Sequence, residues 1–146
     1  LTEIGKSDPE LTRAGVDPAV TLVDSSTHPL LRNEALQFLA VFATHDPTAV
    51  TAAVPDLAVL LQDESTETDT TARILASIGG SQPDALVDVV PKLELFLETE
   101  RETAHVWILT AIGQLSKEHP NMTVEVAPTA GELLSADEVP LRSNAA

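Results

Sequence analysis

Apolar positions along this 146-residue chain recur at helical spacing, and the arrangement itself returns every 34–38 residues. A five-residue phrase marks the return: LTEIG (1–5), LAVFA (39–43), LASIG (75–79) and LTAIG (109–113). Around the last three copies, four columns are apolar throughout: Leu36/Ala72/Val106, Phe38/Ile74/Ile108, Leu39/Leu75/Leu109 and Phe42/Ile78/Ile112. This spacing predicts one helix per unit with a buried stripe on the side these columns share. The next column holds Ala43, Gly79 or Gly113, small enough for a neighbouring helix to approach closely or for the helix to end.

Prolines give a second ruler. Pro18, Pro55, Pro91 and Pro128 stand 37, 36 and 37 residues apart, and Pro47, Pro83 and Pro120 each precede the later three by eight. Pro9 precedes Pro18 by nine, which fits one inserted residue near Gly15. The first helix of a unit is therefore expected over PTAVTAAVPDLAVLLQD (47–63) and PDALVDVVPKLELFLE (83–98). Pro47 or Pro83 opens it, where the missing N–H costs nothing, and Pro55 or Pro91 is expected to kink it from inside. Val50, Val54, Leu57, Leu60 and Leu61 supply its buried side. Polar links join first to second helices at 24–29, 63–69 and 98–103.

Two helices per unit, this period and a recurrent proline inside the first helix resemble the HEAT repeats of the armadillo-like superfamily, over essentially the whole chain. Arg32 and Arg142 lie 14 residues after Pro18 and Pro128, where the family often opens its second helix with an arginine; Thr68 and Glu102 stand there in the middle units. The resemblance implies an all-α, right-handed α-α superhelix of about three full helix pairs with partial repeats at both ends. Its units are 1–8 (the end of a preceding repeat), 9–46, 47–82, 83–119 and 120–146, a partial fourth repeat. Both ends cut through a unit, which predicts a piece of a longer repeat protein whose uncapped ends favour self-association.

Composition narrows the function. The chain carries 23 Asp and Glu against 8 Lys and Arg, a net charge of −15, which disfavours nucleic acid. This balance, rich in Ala, Val and Thr and with lysine only at 6, 92 and 117, resembles that of cytoplasmic proteins of halophilic archaea. In molar salt the Debye length falls to about 3 Å and the self-repulsion of such a surface is screened. No apolar run is long enough to span a bilayer, and there is no cysteine for a disulfide or a thiolate metal site. A cytoplasmic protein without membrane contact is expected.

Chemistry is sparse. The four histidines occur as HPL (28–30), HDP (45–47), HVW (105–107) and HPN (119–121), with no HExxH and no metal-ligand spacing. His28, His45 and His119 fall at predicted helix ends, where a ring can cap a terminus. No His-Glu dipeptide of the kind used by HEAT-type hydroxylases is present, nor a GxSxG elbow. Acid pairs such as Asp63/Glu64 and Glu100/Glu102 are read as solvated acids on links, and DESTETD (63–69) lacks the glycine and terminal glutamate of a calcium loop. Neither a catalytic residue, a metal nor a cofactor is expected.

In HEAT arrays the second helices line the concave surface. Turning away from the core columns are Asn33, Gln37, Ala40 and Thr44, then Asp69, Arg73, Ala76 and Gly80, then Thr103, Trp107, Thr110 and Gln114. Gln37, Arg73 and Trp107 would form a row, with Arg73 about 10 Å from Trp107 along the stack. The resemblance thus implies a non-enzymatic scaffold that binds a protein or peptide through Asn33, Gln37, Arg73, Trp107, Thr110 and Gln114. Trp and Arg are the side chains most enriched at binding hot spots. Two other readings are a tryptophan that only fills a gap in the stack, and a piece of a bilin-lyase-like or hydroxylase-like enzyme whose catalytic residues lie elsewhere.

Overall fold

Pro29 begins the first long helix because a proline at N1 gives up an N–H that would have no partner there. The helix runs to His45, and the backbone then leaves helical space at Asp46 (φ −141°, ψ 74°) just before Pro47. In this computed structural model the described residues are 14–25, 28–63, 67–99, 102–122, 128 and 131, and every regular element among them is helical. The predicted elements at Leu1–Gly5, Pro9 and Arg142 lie outside the described residues.

The α-helices are α1 (Val16–Ser25), α2 (Pro29–His45), α3 (Val54–Leu60), α4 (Thr68–Ser81), α5 (Val90–Leu97) and α6 (Glu102–Glu118). Short 3₁₀ segments occupy Pro47–Ala53, Pro83–Val89 and Pro120–Met122.

The first helices differ from the continuous, kinked rods that the prolines suggest. Residues 47–53 and 83–89 take up 3₁₀ geometry, and the α-helix proper starts at Val54 or Val90, placing Pro55 and Pro91 in its first turn. Val54 N–H bonds back to Thr51, and Val90 N–H to Val87. The physical reason is the ladder: a proline N cannot bond to residue i−4, so the tighter i−3 pattern ends there and a fresh helix begins. The cost of about 3 kcal/mol for an interior proline is thereby avoided.

The junction after each second helix is built the same way three times. Asp46, Gln82 and His119 donate their N–H to the carbonyls of Phe42 (2.8 Å), Ile78 (2.7 Å) and Leu115 (2.8 Å). Their own carbonyls then accept from Ala49 (3.2 Å), Ala85 (3.0 Å) and Met122 (3.1 Å). Gln82 repeats the backbone of Asp46 closely, at φ −138° and ψ 66° against −141° and 74°.

Packing follows the apolar columns. α2 lies against α4 and α4 against α6, while α1, α3 and α5 touch one another in chain order. All the predicted column residues are buried except Val106, which is half-buried against the core. Val50, Val54, Leu57, Leu60 and Leu61 are buried as well. Phe38 and Phe42, one turn apart on α2, stack with ring centroids 6.0 Å apart. At the small-residue column Ala43 and Gly79 are buried but Gly113 is exposed, so only the first two positions serve close approach.

Side chains also bridge one helix pair to the next. Arg32 at the start of α2 donates to Asp63 beyond α3 (3.3 Å), and the Gln62 amide donates to the Lys92 carbonyl (3.1 Å) on α5. Within the third unit, the His119 ring contacts the Asp84 carboxylate. Asp63 is thus exposed yet paired, which corrects its reading as a merely solvated acid. Glu64 and the Glu100 and Glu102 side chains lie outside the described residues.

Candidate partner-binding face

The outward stripe of the second helices is what remains once their core columns are buried. On α2 it holds Asn33, Gln37, Val41 and Thr44, all exposed; on α4, exposed Asp69, Arg73 and Gly80 with half-buried Ser77. On α6 it holds exposed Thr103 with half-buried Trp107, Thr110 and Gln114. The predicted rows through Asn33, Gln37, Arg73, Trp107 and Gln114 therefore do lie at least partly open to solvent. The row through Ala40 and Ala76 does not: each alanine is only 7 % exposed. Ala40 stands one turn from both Leu36 and Ala43, on the flank that turns toward the core, and the open stripe passes through Val41 and Ser77 instead.

One row member reaches across to the next helix. The Gln37 amide donates to the Thr70 hydroxyl of α4 at 3.5 Å. The Thr110 hydroxyl turns inward and donates to the Val106 carbonyl (2.7 Å), a bond within its own helix that lowers its value as a contact residue. Gln114 accepts from the Lys117 ammonium (2.9 Å). Trp107 is half-buried and packs against the core cluster, so its indole is neither a plug nor a free platform. Among the described residues no cation–π pair joins Arg73 to Trp107.

The charge on this face differs from that on the first-helix side. Among the described side chains, exposed Glu34, Asp69 and Glu118 on the second helices stand against exposed Arg73 and Lys117, three carboxylates to two cations. The first-helix side and its junctions carry Asp17, Asp46, Asp56, Asp63, Asp84, Asp88, Glu94 and Glu98 against Lys92 and the Asp63-bound Arg32. Among the described side chains, acidity is thus weighted toward the first-helix side and its junctions.

The four histidines lie in unlike surroundings. His28 holds the N-cap position of α2 without a side-chain cap bond, and His45 closes the last turn of the same helix. His105 was not singled out by its sequence context, yet it is the most enclosed of the four at 1 % exposure. Its ring meets Phe96 edge to face, with centroids 5.5 Å apart, and its Nε2 lies 3.5 Å from the Thr99 hydroxyl. Its only sequence signal was position: it stands one residue before the Val106 core column. Among the described residues no group of three or more His, Asp or Glu side chains is placed to hold a metal ion, and no helix is long and apolar enough to cross a membrane.

No protein-family model matches the chain, and no curated protein matches its sequence. The functional reading rests on the residues themselves.

Proposed function

We propose that the chain is part of a HEAT-like α-α solenoid that works as a non-enzymatic scaffold, presenting its second-helix stripe to a protein or peptide partner. The observation that carries this reading is Gln37, Arg73 and Trp107 on three successive second helices, where the described exposed charges are three carboxylates against two cations. Trp and Arg are side chains enriched at protein interfaces. The solenoid part draws support from the thrice-repeated junction and from the bonds that link one helix pair to the next. The acidic remainder suits a protein kept soluble in concentrated salt.

Trp107 reports on the stripe directly. Its emission should be accessible to acrylamide in the free chain and protected when a partner binds. The decisive comparison is a capture from a salt-adapted lysate with the parent sequence and with Arg73→Ala/Trp107→Ala. A protein retained by the first and lost by the second supports the reading. An indole inaccessible to quencher, or capture unaffected by the double substitution, contradicts it.

A further inference from the structure

We draw no further inference here: the strongest candidate, the exposed apolar row of Leu22 on α1, Val59 on α3 and Leu95 on α5 with the cleft beside it between α1 and α3, carries nothing because nothing in the structure shows what covers it.

Discussion

Gly79 and Gly80 sit side by side near the end of α4, and replacing each by alanine should move stability in opposite directions. Alanine is favoured over glycine in a helix by about 0.8–1 kcal/mol. At Gly80 nothing lies within 4 Å of the added methyl, so most of that gain should appear, reduced because the last turn is less constrained. At Gly79 the methyl would stand 2.7 Å from Leu86 Cδ1, 3.4 Å from Ala111 Cα and 3.5 Å from Ala111 Cβ. Carbon atoms in good contact keep about 3.5–4.0 Å, so the overlap with Leu86 is close to 1 Å. Leu86 is fully buried and cannot swing into solvent, and α6 holds Ala111 behind it. Overpacking of this sort costs about 1–3 kcal/mol. Set against the helix gain, Gly79→Ala should come out about 1 kcal/mol less stable than the parent, and Gly80→Ala about 0.5 kcal/mol more stable.

Urea and thermal unfolding of the two variants, followed by circular dichroism, measure the difference. At about 2–4 °C per kcal/mol for a chain of this size, the melting temperatures should separate by about 3–6 °C. A double-mutant cycle sharpens the test. Leu86→Ala alone removes core volume and should cost about 2–5 kcal/mol. In the Leu86→Ala background, however, Gly79→Ala should become neutral or stabilising, because the methyl occupies space the leucine has left. The coupling should be about 1–2 kcal/mol. If Gly79→Ala stabilises the parent as much as Gly80→Ala does, then α4 does not approach the Pro83–Val89 segment and α6 as closely as described, and the reasoning fails.

Other perturbations probe separate features. Leu75→Ala, at a fully buried column residue, should cost about 2–5 kcal/mol and abolish a cooperative melt if the parent stability is at the low end of the usual 5–15 kcal/mol. Arg32→Ala breaks a largely solvent-screened pair with Asp63 and should cost less than about 1 kcal/mol, a loss that fades as salt is raised; a larger, salt-independent loss would show that the guanidinium matters through packing. With a net charge of −15, the chain should melt at a higher temperature in ~1 M KCl than in ~0.1 M, and an unchanged melting temperature would remove the support for adaptation to concentrated salt.

Much of this helical arrangement was legible in the apolar columns, because a helix packed on two neighbours needs apolar side chains at the same turn in each unit. Phe38, Ile74 and Ile108, or Leu39, Leu75 and Leu109, announce their burial by spacing alone. The 3₁₀ character of 47–53 and 83–89 was hidden, since i, i+3 spacing places apolar residues on one side of either helix type. The outward stripe was legible to within a residue: the helical period located Gln37 and Arg73 but could not separate Ala40 from Val41, which straddle its edge. Contacts such as Arg32–Asp63 and Asp84–His119 were beyond reach, because they join residues 31 and 35 positions apart through the packing of separate helices. His105 shows a complementary gap: nothing in its sequence context placed it, while Phe96 meets its ring edge to face and Thr99 lies beside its Nε2.

What varies between units is as informative as what repeats. Position for position, the core columns exchange one apolar or small side chain for another, and the junction backbone at Asp46 and Gln82 falls in the same region of φ and ψ. At the centre of the outward stripe the sequence runs Gln37, Arg73, Trp107: an exposed amide, an exposed cation and a half-buried aromatic at the same register of successive second helices. Packing demands neither Gln37 nor Arg73, since a solvent-facing helix position accepts almost any good helix former, whereas Trp107 spends part of its surface against the core. Trp carries a large apolar surface and a modest helix propensity, so at a half-open site it is a costly choice for a residue with no contact to make. A core that keeps its apolar chemistry beneath an open stripe that changes chemistry from unit to unit leaves the identity of the stripe's exposed side chains to be set by something other than packing.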